Sequence, residues 1–277
     1  PSQLCGPRGV AVTAAGDVLV ADTTNNRIVV FDAATSSDTV ADHWLAAGAS
    51  GLEGPSAVAL DRSASPNHVW VADTVNHRVL GWRDADAWAN AEPADLVLGQ
   101  PNLNSRYCNA GGRGPSSLCS PAGVAVDDSG NLYVADSGNH RVLEYDAPYA
   151  AADTTADRAL GQADSFTSGG CNTGGIGAGS LCNPLSVAVA ATGDLYVADT
   201  NNNRVLYFAD PTRFDTTADR SFGQLGSFTS AIVNAAGLSA SSLSGPQAAG
   251  LDGADNLFVA DTGNHRVLGF VAPTAGG

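Results

Sequence analysis

One eight-residue segment occurs five times, and it constrains the fold more than any other feature. Val20-Ala21-Asp22-Thr23-Thr24-Asn25-Asn26-Arg27 returns at Val71 to Arg78, Val134 to Arg141, Val197 to Arg204 and Val259 to Arg266. Successive arginines lie 51, 63, 63 and 62 residues apart. A repeat of this kind marks one supersecondary unit stacked on copies of itself. The five units use up the 277 residues, so a single domain over 1–277 is expected.

Each unit reads as short strands. In the third, Gly123 to Asp127 is a short apolar run, and Asp128 to Asn131 is a turn. Leu132 to Asp136 is a second strand, Ser137 to His140 a tight turn, and Arg141 to Tyr145 a third strand. Arg158 to Gln162 forms a fourth, with counterparts at Leu96 to Gln100, at Arg220 to Gln224 and around Trp44-Leu45. No unit holds a helical period of useful length. Four consecutive strands per unit is the blade pattern of an all-β propeller. The blades fall at roughly 7–48, 55–100, 121–162, 184–224 and 246–277, and the last lacks its own fourth strand.

The chain resembles the NHL repeat family. The resemblance lies in the Pro-x-Gly-Val-Ala-Val start, the Gly-(Asn/Asp)-Leu-Tyr-Val-Ala-Asp strand and the Asn-x-Arg-Val-Leu strand. It implies a β-propeller with five NHL-type blades, each longer than the usual repeat between its fourth strand and the next first strand.

The signature residues read as framework. A tight turn makes neighbours of Asp22 and Arg27, Asp73 and Arg78, Asp136 and Arg141, Asp199 and Arg204, and Asp261 and Arg266. A salt bridge or shared bonds to the turn backbone are expected, with Asn139 left-handed or capping its turn. A catalytic site needs different residues converging on one point, whereas this pattern is one set at five points. His77, His140 and His265 share a turn position with Asn26 and Asn203. Packed sheets lie roughly 10 Å apart, whereas zinc ligands sit at about 2 Å, so one shared metal is excluded. The turns 127–131 and 252–256 resemble fragments of calcium loops but lack the ligand ladder and closing Glu. They read as plain hairpin turns, with calcium left open and no other cofactor expected.

Cys108 and Cys119 flank a Gly-rich loop, as do Cys171 and Cys182, in the frame Cys-Asn…Leu-Cys-x-Pro. The fifth unit has Val233-Asn234 and Leu243-Ser244 there, so both cysteines are replaced together. Disulfides Cys108–Cys119 and Cys171–Cys182 are therefore expected, and with them an oxidising location: extracellular, cell surface or periplasm. Cys5 sits in the second-cysteine frame, so its partner is expected upstream or on another molecule. Three arrangements fit the missing fourth strand: an upstream segment closing the ring, a strand from a neighbouring subunit, or a three-stranded blade.

Net charge is −15, and all 13 basic residues are arginine. Such acidity disfavours nucleic acid and anionic membranes, and no apolar run reaches spanning length. The long loops near 101–120, 163–183 and 225–245 carry single aromatics, Tyr107, Phe166 and Phe228, as candidate interaction residues. The expected function is a secreted or cell-surface, non-enzymatic scaffold for protein or glycan, with self-association into an extracellular assembly or filament as one form. The alternative is a propeller enzyme of lyase or lactonase type with a metal on the central axis. That enzyme would need inward His, Asp or Glu from several blades, and the only non-turn histidines, His43 and His68, lie off the first strands.

Overall fold

The computed structural model describes residues 3–32, 40–45, 51–84, 92–151, 153–190, 192–213, 215–271 and 273. The blade limits at 48 and 277 lie outside them. The protein is an all-β, five-bladed propeller of small antiparallel sheets.

Blade 1 comprises β1 (Val10–Val12), β2 (Val18–Asp22), β3 (Arg27–Phe31) and β4 (His43–Leu45). Blade 2 comprises β5 (Pro55–Asp61), β6 (His68–Asp73), β7 (Arg78–Trp82) and β8 (Leu96–Leu98). Blade 3 comprises β9 (Pro121–Val126), β10 (Leu132–Asp136), β11 (Arg141–Tyr145) and β12 (Arg158–Leu160). Blade 4 comprises β13 (Pro184–Val189), β14 (Leu195–Asp199), β15 (Arg204–Phe208) and β16 (Arg220–Phe222). Among the described residues blade 5 has three strands, β17 (Ala248–Leu251), β18 (Leu257–Asp261) and β19 (Arg266–Phe270). The one α-helix among the described residues is a single turn at Pro148–Ala151.

Every sheet runs in chain order. The middle strands of blades 3 and 4 are buried along their whole length. Their apolar residues follow one another without polar–apolar alternation, and the charged residues Asp136, Arg141, Glu144, Asp199 and Arg204 are buried with them. The chain divides into two compact units, Pro1–Leu132 with Asp146–Thr155, and Tyr133–Tyr145 with Ala156–Gly277. The first is centred on Leu19, Ile28, Leu45, Leu80 and Trp82. The second includes a cluster of Tyr196, Val205, Leu243, Leu257 and Val259.

The fourth strands are shorter than their sequence suggests. They stop before Gly99, Gly161 and Gly223, whose φ values are +85°, +89° and +94°. A Cβ on these glycines would meet the side chains of Leu118, Leu181 and Leu243 at 2.6, 2.4 and 2.6 Å. Glycine alone allows both the left-handed turn and that close approach. The following glutamine leaves the sheet and turns inward.

Candidate functional site

The five turns share one geometry. After the aspartate the chain makes a tight turn, 3-10 in blades 1, 3, 4 and 5, closed by a left-handed residue, with φ of 57° at Asn26, 54° at His77, 55° at His140, 52° at Asn203 and 55° at His265. The left-handed position is therefore the residue after the expected one. Asn139 is committed elsewhere: its Nδ2 donates to Asp136 Oδ2 at 2.7 Å. Its four counterparts do the same at 2.7–2.9 Å.

Each aspartate is a hub. Arginine Nε reaches Oδ2 at 2.7 Å in Asp22–Arg27, Asp136–Arg141, Asp199–Arg204 and Asp261–Arg266, and at 2.6 Å in Asp73–Arg78. In four turns Oδ1 accepts a crossover N–H at 2.7 Å, from Cys5, Glu53, Cys182 and Ser244 respectively. At Asp22 the desolvation cost is outweighed by the Cys5 N–H, the Asn25 amide and Arg27, so its carboxyl lies below the usual range. Burial dominates at Asp73 and Asp199 and pushes both carboxyls up against the pull of their arginines.

The remaining guanidinium donors hold the crossover loops. Arg141 Nη1 donates to Phe166 O at 2.5 Å, Arg204 Nη1 to Phe228 O at 2.5 Å, and Arg78 Nη1 to Leu103 O. Arg204 Nη2 adds Gly177 O and Ser180 O at 3.0 and 2.9 Å. These donor sets match carbonyl cradles and leave no arginine of a buried turn facing solvent.

Two other turn positions stitch blade to blade. Thr23, Thr74 and Thr200 donate Oγ1 to Pro55 O, Pro121 O and Pro246 O at 2.7, 2.8 and 2.7 Å, and Ser137 donates to Pro184 O. The left-handed residue accepts an N–H from the same neighbour. His77 Nδ1 takes Ser120 N and His140 Nδ1 takes Asn183 N, both at 3.0 Å. Asn26 Oδ1 takes Gly54 N and Asn203 Oδ1 takes Gly245 N, both at 2.8 Å. Nδ1 of histidine and Oδ1 of asparagine present an acceptor at the same reach, which explains why the two residue types alternate there.

The glutamines after the fourth strands brace the loops. Gln100 Nε2 donates to His77 O and Tyr107 O at 2.9 and 2.8 Å. Gln162 Nε2 donates to His140 O and Gly170 O at 2.7 and 3.0 Å. Gln224 Nε2 donates to Asn203 O and Ile232 O at 2.8 and 2.9 Å. The recurrent Gly-Gln pair was the sequence signal for this role.

Disulfides Cys108–Cys119 and Cys171–Cys182 close two loops, with Cα separations of 4.4 and 4.5 Å. Inside both loops an asparagine N–H meets a leucine carbonyl, Asn109 to Leu118 and Asn172 to Leu181, each at 3.0 Å. The cysteine-free loop keeps the same bond, Asn234 to Leu243 at 3.0 Å. Cys5 is an exposed free thiol.

Of the expected interaction residues, Tyr107 is 74% exposed, while the rings of Phe166 and Phe228 are half-buried. The third long loop adds exposed Leu225, Ile232, Val233 and Leu238, which the sequence reading passed over. Beside β8 a cleft of about 340 Å³ is lined by Leu96, Gln100, Leu103, Ser116 and Thr154, among others. At the hairpin turns, Asp127 Oδ1 accepts Ser129 N and Asn131 N at 2.9 Å. Asp252 Oδ1 likewise accepts Ala254 N and Asn256 N, at 2.9 and 3.0 Å. The Asn256 side-chain amide, donating to Asp252 Oδ2 at 2.9 Å, and then these backbone bonds lower the Asp252 carboxyl.

Short antiparallel sheets, each with a hub aspartate at its central hairpin and four of them stitched from that turn to the next blade, define a β-propeller of tandem repeats. The family model for the NHL repeat matches residues 4–31, 118–145 and 181–208, so the propeller carries NHL repeats. No curated protein matches it. Among solved structures it is similar to one in a nidogen/laminin complex, at 16% identity and TM-score 0.61, covering 98% of this chain and 77% of that one. It is also similar to virginiamycin B lyase from Staphylococcus aureus, at 12% identity and TM-score 0.51, covering 98% and 71%. A streptogramin B lyase structure aligns at 11% identity and TM-score 0.52, covering 98% and 70%. At such identities the likeness is one of fold, which hosts unrelated functions.

Proposed function

We propose that the chain is a non-enzymatic scaffold of an oxidising compartment, binding a protein partner through its crossover loops. One observation carries this reading: loops pinned by arginine and glutamine side chains hold large apolar side chains in solvent. Tyr107, Leu225, Ile232, Val233 and Leu238 are all more than half exposed. Apolar side chains held out on rigid loops mark an interaction surface. The two disulfides support an extracellular or periplasmic location, and the net charge of −15 favours a partner with a basic face. The propeller of the nidogen/laminin complex supports protein binding by this fold.

Crosslinking of the protein in its native setting tests the reading, followed by equilibrium binding of the purified partner. Crosslinks are expected to cluster at 101–120, 163–183 and 225–245. Ile232→Ser with Leu238→Ser should weaken binding about tenfold, the effect of removing an interface anchor, at unchanged melting temperature. Crosslinks confined to other surfaces, selective glycan binding without a protein partner, or lyase or lactonase turnover would overturn it.

A further inference from the structure

We infer that a second copy of this chain docks on the third crossover loop, at 225–245, which rests on the reading of the crossover loops as the interaction surface and names the occupant of one of them. The three long loops expose the same three positions. The first is the residue after the glutamine that braces the loop: Pro101, Ala163 and Leu225. The second is the residue whose carbonyl accepts from that glutamine: Tyr107, Gly170 and Ile232. The third follows it directly: Cys108, Cys171 and Val233. All of these residues are exposed, so the exposure follows from how the loops are braced.

The third loop alone fills all three positions with large aliphatic side chains, which are 62%, 65% and 57% exposed. Leu225 is also left-handed, with φ of 55°, a region that a bulky side chain rarely adopts. A leucine both strained and exposed gains nothing in the isolated chain, and strain of this kind concentrates where a surface meets a ligand or partner.

Charge identifies the occupant. The chain carries −15, so two copies repel each other in most orientations. From Ser221 to Leu251 there is no Asp, Glu, Arg, Lys or His, whereas the first loop carries Arg106 and Arg113 and the second Asp164. This segment offers a basic partner no carboxylate. A second copy brings the same uncharged aliphatic face, and a two-fold contact sets Leu225, Ile232 and Val233 against their counterparts with no like charges between the segments. So few side chains form a contact at the low end of specific interfaces, and the association is reversible and concentration-dependent. Pairing also gives a basic-faced partner two acidic chains to engage at once.

Sedimentation equilibrium of the 277-residue chain carrying Cys5→Ser, which removes the exposed free thiol, tests the contact. A monomer–dimer equilibrium is expected, and it should tighten with salt. Screening shortens the like-charge repulsion from a Debye length of about 30 Å at 0.01 M to about 3 Å at 1 M. Ile232→Asp should weaken the dimer about tenfold, as loss of an interface anchor does. The Ile232 bonds to Gln224 are made by backbone, so this variant should keep its melting temperature. Tyr107→Asp, at the same position of the first loop, should leave the dimer unchanged. A monomer at every concentration and salt would overturn the inference. A dimer that Ile232→Asp leaves intact, or one that salt weakens, would also overturn it. A monomer whose 225–245 loop crosslinks to a different protein would overturn the second copy and leave the loops as the interaction surface, whereas crosslinks confined to other surfaces would overturn that reading itself.

Discussion

Asp199 and Arg204 face each other across the central hairpin of blade 4 at 2.7 Å, Nε to Oδ2, with neither side chain exposed. Removing one partner of such a pair leaves an uncompensated buried charge, which costs about 3–5 kcal/mol. Arg204→Ala is expected to lower the urea midpoint accordingly. Arg27 is partly exposed, so Arg27→Ala should shift the midpoint much less. Equal shifts would contradict the framework role of burial.

The stitch between blades 4 and 5 is separable from the hub. Thr200 Oγ1 donates to Pro246 O in a buried setting. Thr200→Val keeps the volume but leaves that carbonyl unsatisfied, at a cost of about 1–3 kcal/mol. Thr200→Ser keeps the donor and should restore most of the loss. Failure of serine to rescue would mean that the methyl group, not the hydrogen bond, matters.

Cys171 and Cys182 close a loop with a sequence separation of 11. Replacing both with serine should cost about 2–3 kcal/mol, the chain-entropy value for a loop of this size. The protein should remain folded, because the cysteine-free loop at 234–243 keeps the same backbone bond. A reducing agent should cost the native protein about twice as much, because it also opens Cys108–Cys119, and should cost the double variant one such increment.

Four tyrosines are held protonated by burial. Tyr196 is pushed up to about 12, and Tyr145, Tyr149 and Tyr207 further still. A raised phenol makes a stability contribution that is complete below the unfolded value of about 10 and declines as pH rises through the folded one. Stability should therefore fall above about pH 10. Absorbance at 295 nm should show these four ionising together with unfolding, and a full six-tyrosine titration of a still-folded protein would contradict this.

Much of the fold was legible because its signals are local. The Asp-x-x-Asn-x-Arg hub spans six residues, and the joint replacement of both cysteines in the fifth unit revealed their pairing. What escaped was long-range. Thr200 and Pro246 lie 46 residues apart, and nothing near Thr200 names its acceptor. Asn139 looked suited to the left-handed position, but its amide is drawn to Asp136 and the next residue takes the strained φ. Gln162 looked like the end of a strand because its turn depends on Leu181 packing over Gly161. Ile232 and Val233 lie in solvent because the loop there is braced through backbone, which nothing in the local sequence signals.

The central claim is that the repeated aspartates hold the propeller together and leave recognition to the loops. Amide hydrogen exchange of the Glu53, Cys182 and Ser244 N–H groups, each donated to a hub aspartate at 2.7 Å, tests it most directly. These amides should exchange only through global unfolding, orders of magnitude more slowly than those of the loop tip at 174–177. Exchange as fast as the loop tip would contradict it.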